Sequence, residues 1–208
     1  MNCFKKHLSV IILFALATMV FPLSVLGQQD KSAREILDKM AATYNQGDGM
    51  KISFKGTQLG TLWVRENCFV LDCNGVKSWF DGTTQWSYVQ ENEEVNISSP
   101  TPEEIQAVNP YVLVNMYKKG FNYRYVGKKE RNGKTGIEVV LLPLHNQDIR
   151  EVRLNIDANN LPFYIGIDMQ NGHFEEFIVT SYEKLDLTAS FFQFNARLYP
   201  NAEIIDLR

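Results

Sequence analysis

Few side chains of this 208-residue chain have the types and spacing that catalysis or metal binding requires. Beyond the N-terminal region the histidines are His145 and His173, and neither lies at a metal-ligand spacing such as H-x-x-x-H or near a cysteine. Glu175 and Glu176 are adjacent on a predicted strand, so their carboxylates should point to opposite faces and form a poor acid/base pair. The chain contains no G-x-S-x-G motif and no phosphate-binding loop. We therefore expect no enzyme activity, no metal ion and no cofactor.

The cysteines beyond the N-terminal region, Cys68 and Cys73, are five residues apart on one predicted strand. Because side chains alternate along a strand, the two thiols should point to opposite faces, too far apart for a disulfide. Their spacing also differs from that of a redox pair or a zinc site. We expect no bridge between them.

The first 27 residues have the pattern of a targeting segment. Two lysines, Lys5–Lys6, precede an uncharged apolar run over residues 8–21, and the pattern Val25-Leu26-Gly27 predicts cleavage before Gln28. An uncleaved anchor is the alternative, but a membrane span needs about twenty apolar residues and Pro22 interrupts the run. The pattern therefore predicts a cleavable signal peptide over residues 1–27 and an exported mature chain.

Charge and length limit what the mature chain can be. The 21 basic residues fall to 19, against 24 acidic ones, because Lys5 and Lys6 are lost with the signal peptide. This negative balance argues against nucleic acid and against an anionic membrane surface as partners. No linker or internal repeat divides the remainder, so we expect one domain over residues 28–208.

Turn signals predict a run of hairpins in the first half of the domain. Asn74-Gly75 and Asp81-Gly82 are typical of tight hairpin turns, because both central residues of a type I′ turn need positive φ. The flanking segments are rich in aromatic residues, which suit a half-buried strand. The predicted strands cover residues 51–57, 60–66, 68–73, 76–80, 84–90 and 93–97.

Three helical segments accompany these strands. A capping box of Ser32 and Glu35 predicts a helix that continues to Tyr44 and ends near Gly47. A second capping box at residues 101–104 opens a short helix, and a further helical stretch covers residues 111–119. The first of these helices and the stretch over residues 111–119 could cover the apolar face of the sheet as lids.

The second half alternates regularly between apolar and polar residues. Val152 and Leu154 share one face of a predicted strand, and Ile165 and Ile167 repeat the pattern after a turn at residues 157–160. About eleven strands and short helices result, in a mainly β fold with some α structure. The helices either enclose an apolar cavity over the sheet or complete a dry core, and periodicity leaves both open.

Several motifs resemble, in order and spacing, the LolA family of outer-membrane lipoprotein carriers. The likeness covers nearly the whole mature chain. Its motifs are Gly60-Thr61-Leu62-Trp63-Val64, Phe69, Phe80 to Tyr88, Glu94-Val95, Phe191 to Phe194, and Pro200 to Asp206.

The resemblance implies an unclosed antiparallel β-barrel capped by helices, with an apolar cavity that holds the acyl chains of lipoproteins. It implies a periplasmic, monomeric carrier that receives acylated lipoproteins from an inner-membrane ABC transporter. The cargo would leave for the outer membrane, with an outer-membrane lipoprotein receptor as a further partner. A periplasmic module that binds lipids or other amphiphiles, or that senses lipoproteins without carrying them, is the alternative function.

The resemblance also assigns residues. Phe69 matches an aromatic residue of the family's cavity wall, and alternation places Leu71 on the same face while Trp63 points outward. The complete set predicted to line the cavity is Leu62, Val64, Phe69, Leu71, Val152, Leu154, Ile165 and Ile167. Core packing is the alternative for each of these positions.

An arginine after the L-W-V strand holds the lid shut in the family. When this sequence is aligned with the family motif by a straight count of residues, Glu66 takes the position of that arginine. A shift of one residue in the alignment puts Arg65 there instead. Arg65 is therefore the candidate lid latch.

Overall fold

The described part of the chain forms one large β-sheet with a single helix against it. The computed structural model describes residues 30–44, 49–101, 117–118, 120–145 and 148–208. In these ranges there is one α-helix, α1, over Lys31–Tyr44. The strands are β1 Met50–Gly56, β2 Gly60–Arg65, β3 Cys68–Cys73, β4 Val76–Phe80, β5 Gln85–Val89, β6 Glu94–Ser98, β7 Phe121–Arg131, β8 Lys134–Pro143, β9 Ile149–Ile156, β10 Pro162–Met169, β11 Phe174–Lys184 and β12 Glu203–Asp206. Short 3-10 helices lie at Ala189–Phe192 and Ala196–Leu198. The helices predicted near residues 101–104 and 111–119 lie almost entirely outside the described residues.

All twelve strands belong to one sheet, in the order β12-β6-β5-β4-β3-β2-β1-β11-β10-β9-β8-β7. Every neighbouring pair is antiparallel except β12 and β6, which run parallel. The sheet is unclosed, because β12 and β7 form its two edges and do not pair. The predicted mainly β, unclosed antiparallel fold is confirmed. The strand beyond the predicted eleven is β12, which pairs with β6 after a long return of the chain and has no local turn signal.

The helix begins differently from the prediction. The proposed capping box of Ser32 and Glu35 is wrong, because Asp30 caps α1 and Ser32 already lies inside it. Asp30 Oδ1 accepts hydrogen bonds from the amides of Ser32 at 2.9 Å and Ala33 at 3.2 Å. An aspartate in this position satisfies amides that no helical carbonyl can reach.

The two predicted hairpin turns have different outcomes. Asn74 and Gly75 have φ of 50° and 77°, so the tight turn between β3 and β4 is confirmed. The tight turn predicted at Asp81-Gly82 is wrong, because only Gly82 has positive φ and residues 81–84 form a longer loop. Asp81 Oδ1 holds this loop by accepting from the amides of Thr83 and Thr84. The aspartate side chain thus replaces the backbone geometry that the dipeptide suggested.

Each face of the sheet is covered by a different part of the chain. We call the face under α1 the helix face and the opposite one the outer face. The helix buries five side chains against the helix face: Ala33, Leu37, Met40, Ala41 and Tyr44. The outer face of β2–β5 is covered by residues 185–199, here called the tail. Trp63 points to this outer face, as predicted, with its ring 6.1 Å from that of Phe191.

One carboxylate ties the start of α1 to the edge of the sheet. Asp30 Oδ2 accepts a hydrogen bond of 2.9 Å from the amide of Tyr125 on β7. This bond is the main cause that lowers the pKa of Asp30 below its ordinary 3.8, and the amides of Ala33 and Ser32 act in the same direction. A lowered folded-state pKa means that the charged carboxylate stabilises the fold above its ordinary pKa, and that this contribution is lost as pH falls through the folded value.

We predict that Asp30→Ala lowers the free energy of unfolding by about 1–2 kcal/mol at neutral pH, because it removes a helix cap and a charge-assisted bond. Urea unfolding followed by circular dichroism measures this difference. This stability difference should narrow as the pH falls below 3.8 and through the lowered pKa of Asp30 in the folded protein, because the wild-type carboxylate then becomes protonated. Asp186→Ala, at an exposed site, is the control and should be neutral. A difference in free energy of unfolding between the wild type and Asp30→Ala that stays constant across pH would contradict the interpretation of Asp30 as a charged helix cap.

Candidate functional site

All eight residues predicted to line a cavity lie in one apolar cluster on the helix face. Six are buried and two, Leu71 and Ile167, are partly buried against the cluster. The structure therefore brings the predicted set together, although the positions come from strands far apart in sequence. The six buried members are Leu62, Val64, Phe69, Val152, Leu154 and Ile165.

The eight residues form two patches, one in each half of the sheet. On β2 and β3, Leu62 lies opposite Leu71, and Val64 lies opposite Phe69. On β9 and β10, Val152 and Leu154 lie opposite Ile167 and Ile165. Cross-strand partners point to the same face of the sheet, so each pair extends the same apolar surface.

The strands that join the two patches were missing from the predicted set. Ile52 and Phe54 on β1 and Phe177 on β11 are buried in the same cluster. The rings of Phe54 and Phe177 meet edge to face, with centroids 5.7 Å apart. The alternation of Met50, Ile52 and Phe54 was the available signal, since every second residue of β1 is buried. With them, the apolar surface runs without a break from β3 to β9.

Three tyrosine hydroxyls add polar contacts to the apolar packing of α1. Tyr117 donates a hydrogen bond of 2.6 Å to Asp38 on α1, and burial together with the Asp38 carboxylate raises the pKa of the Tyr117 hydroxyl. At the other end of the helix, the hydroxyls of Tyr44 and Tyr182 lie 2.9 Å apart. Tyr182 in turn donates to the carbonyl of Pro162. With Asp30, these contacts fix α1 at its start, middle and end.

Arg65 lies on the outer face with Trp63, away from α1. Its guanidinium donates to the carbonyl of Leu187 and lies 5.6 Å from the centre of the Phe192 ring. Within the described ranges none of its contacts reaches α1, and most of the other predicted lid segment is outside those ranges. The lid-latch role stays a prediction, and the observed contacts favour a role in holding the tail.

The residues first considered for chemistry are dispersed. Glu175 and Glu176 lie on opposite faces of the sheet, as expected. Glu175 is opposite Ile167 on the helix face, and Glu176 is opposite Gly166 on the outer face. His173 Nε2 lies 3.6 Å from Glu175 Oε1 at an exposed site. Cys68 and Cys73 are free thiols, packed on the outer face and the helix face respectively.

The open sheet with one helix over an unbroken apolar face has a counterpart among known families. The sequence model of the family described as "Outer membrane lipoprotein carrier protein LolA" matches residues 23–173. The chain belongs to this family. No curated protein sequence matches it. The resemblance seen in the motifs is thereby confirmed.

Solved structures resemble this one at low sequence identity. An uncharacterized conserved protein from Thermus thermophilus superposes with a TM-score of 0.60 at 15% identity, covering 85% of this chain and 99% of that one. Lipoprotein LppX of Mycobacterium tuberculosis gives 0.47 at 11% identity, with 77% and 99% covered. A LolA superfamily protein from Nitrosomonas europaea gives 0.41 at 10% identity, with 78% and 97% covered. In the part of the chain that the structure describes, no helix is long and apolar enough to cross a membrane.

We predict that Arg65→Leu loosens the tail, because a hydrogen bond to a charged group contributes about 1.5–3 kcal/mol and the arginine–ring contact somewhat less. Hydrogen exchange with mass spectrometry should show faster exchange in residues 185–194 and unchanged exchange in α1. Arg197→Leu, at an exposed site of the same tail, is the control. Faster exchange in α1 alone would instead support the lid-latch role.

Proposed function

We propose that this LolA-family protein is a periplasmic carrier, which holds the acyl chains of lipoproteins on its helix face and delivers them from the inner to the outer membrane. One observation carries the proposal. A single apolar surface, continuous across both halves of an open sheet, is covered among the described residues by one helix of fourteen residues. Such a surface can be uncovered without breaking the sheet.

Acyl chains suit this surface energetically. Burying each methylene contributes about 0.8 kcal/mol to the binding free energy. If the empty site stayed exposed to water, a ligand with several acyl chains would therefore bind too tightly to be released. Here Leu37, Met40 and Tyr44 already cover the helix face. Binding therefore exchanges the burial of helix side chains for the burial of acyl chains, and the net affinity is the difference between the two.

The attachment of α1 is compatible with this exchange. Among the described residues, its hydrogen bonds to other elements include those of Asp30, Asp38 and Tyr44, and it also packs through apolar, non-directional contacts. The backbone bonds of the sheet do not involve α1, so displacing the helix leaves them intact. We infer that α1 is the movable cover and the sheet is the fixed wall.

The proposal requires partners but no catalytic group. A protein that only transfers acyl chains between hydrophobic environments makes and breaks no covalent bond, so it has no use for an acid/base pair or a metal. An inner-membrane ABC transporter would supply acylated lipoproteins, and an outer-membrane receptor or the membrane itself would take them. The chain would work as an exported monomer, after loss of residues 1–27.

The first test identifies what the protein carries. The full chain is produced in a Gram-negative host, and the periplasmic protein is purified gently and analysed by native mass spectrometry with lipid extraction. We expect a mass that begins at Gln28 and a fraction with a bound triacylated lipoprotein. Fatty acids or phospholipids alone would instead indicate a general amphiphile-binding protein. A protein that stays empty, even with added tripalmitoyl-cysteinyl peptide, would contradict the proposal.

A second test places a charge on the proposed binding surface. Phe69 is fully buried, so Phe69→Glu endangers the fold, whereas Leu71 is only partly buried. We predict that Leu71→Glu weakens binding of tripalmitoyl-cysteinyl peptide by about tenfold or more, because a carboxylate must be desolvated beside the acyl chains. Binding to the purified protein and release of lipoproteins from spheroplasts are both measured.

The matched control is Ile178→Glu, a half-buried position on the outer face of β11. It adds the same charge to the same sheet and should bind the lipopeptide normally. Thermal unfolding checks that both variants fold. Normal lipopeptide binding by a folded Leu71→Glu protein would contradict the assignment of the helix face as the lipid site.

A further inference from the structure

A polar groove of about 330 Å³ lies on the outer face, where β7, β8 and β9 adjoin. It is on the half of the outer face that the tail does not cover, and it is on the opposite side of the sheet from the proposed lipid site. The lining residues are Arg124, Val126, Lys129, Glu130, Arg131, Glu138, Val140, Glu151 and Arg153.

The carboxylates of the groove neutralise only part of its positive charge. Arg131 pairs with Glu138 at 2.8 Å, and Arg153 pairs with Glu151. Arg124 and Lys129 have no ion-pair partner in the described ranges, and neither does the lining carboxylate Glu130. Both cations are exposed at the surface. The lining has four basic and three acidic side chains, so the groove keeps a net positive charge and two cations that an anionic partner can reach.

This charge is a local reversal in an acidic protein. The chain as a whole has a net charge of −3, yet β7 carries four basic residues and one acidic residue. Such a concentrated patch favours encounter with a negatively charged partner regardless of the overall charge.

The strand that carries the patch is an edge. β7 is eleven residues long and has a strand partner on one side only among the residues described. A bulge separates Tyr125 from Gly127, which has φ of 111°. The amide of Tyr125 points away from β8, since the Asp30 carboxylate binds it. This bond occupies the edge at Tyr125, so an added strand can pair only with the part of β7 beyond the bulge; edge strands are templates for added strands.

We propose that the groove and the edge of β7 beyond the bulge, which has no strand partner among the described residues, bind an extended acidic peptide segment of a partner protein. The peptide pairs with the edge through its backbone, and its carboxylates meet Arg124 and Lys129. These two side chains face the same groove across the bulge, roughly 13 Å apart along the strand by the usual rise per residue. Acidic residues four apart on an extended peptide have the same spacing and the same direction.

The test uses a fluorescein-labelled twelve-residue peptide of alternating glutamate and threonine. Fluorescence anisotropy should show binding that weakens about tenfold or more in the Arg124→Glu, Lys129→Glu double variant and with rising salt. The matched control is Lys55→Glu, Lys184→Glu, which reverses two exposed strand lysines elsewhere on the sheet and should bind normally. Equal binding by both double variants would overturn the proposal.

Two further arms separate pairing from simple charge attraction. The same peptide methylated at alternate backbone nitrogens cannot pair along an edge and should lose binding, and amide shifts in nuclear magnetic resonance spectra should cluster on β7–β9. Undiminished binding of the methylated peptide would contradict edge pairing. Binding to phosphatidylglycerol vesicles through Arg124 and Lys129, without peptide binding, would replace the peptide with a membrane surface. The Leu71→Glu variant should still bind the peptide, so the inference stands or fails independently of the lipid site.

Discussion

The open edge of the sheet determines how the rest of the molecule is arranged. Because β7 and β12 do not pair, the apolar side chains of the helix face cannot be enclosed by strands alone and need another element over them. Among the described residues, α1 supplies that cover from the start of the domain. A helical cover can leave as a unit, whereas a closed barrel would have to break backbone bonds to open. The proposed carriage of acyl chains depends on this sheet that stops short of closing.

Packing of the tail on the outer face would keep the sheet folded if α1 moved away from the helix face. Trp79 packs against Phe194 and Tyr199, with ring centroids 5.4 and 5.7 Å away, and the tail leads into a strand that pairs with β6. The outer face of β2–β5 is therefore buried even when the helix face is not. Arg65 links this layer to the sheet close to the β2–β3 turn. A sheet held by packing on one face keeps its register while the cover on its other face moves.

Local pattern predicted the parts of the structure that depend on alternation, and missed those that depend on distant contacts. Leu62 and Val64 were assigned to the correct face because a period of two leaves little choice once one residue is placed. The cap of α1 was assigned two residues late, because a capping-box pattern does not reveal that Asp30 also binds an amide on β7. β12 has no turn signal, since its partner lies about a hundred residues earlier in the chain. Individual residues of the helix face are therefore predictable from the sequence. That β1 and β11 join them into one continuous apolar surface follows only from the order of the strands in the sheet.

Apolar burial explains how a carrier grips its cargo but not how it chooses where to receive and release it. The hydrophobic effect is non-directional, so any two apolar surfaces attract each other to a similar degree for their area. Direction has to come from polar surface that tells one partner from another, since complementary charge gives specificity and speed of association more than affinity. In this protein the apolar and the charged surfaces lie on opposite faces of the same sheet. Under the two proposals, this separation would let a docked partner approach the charged side while α1 and the acyl chains exchange places on the other.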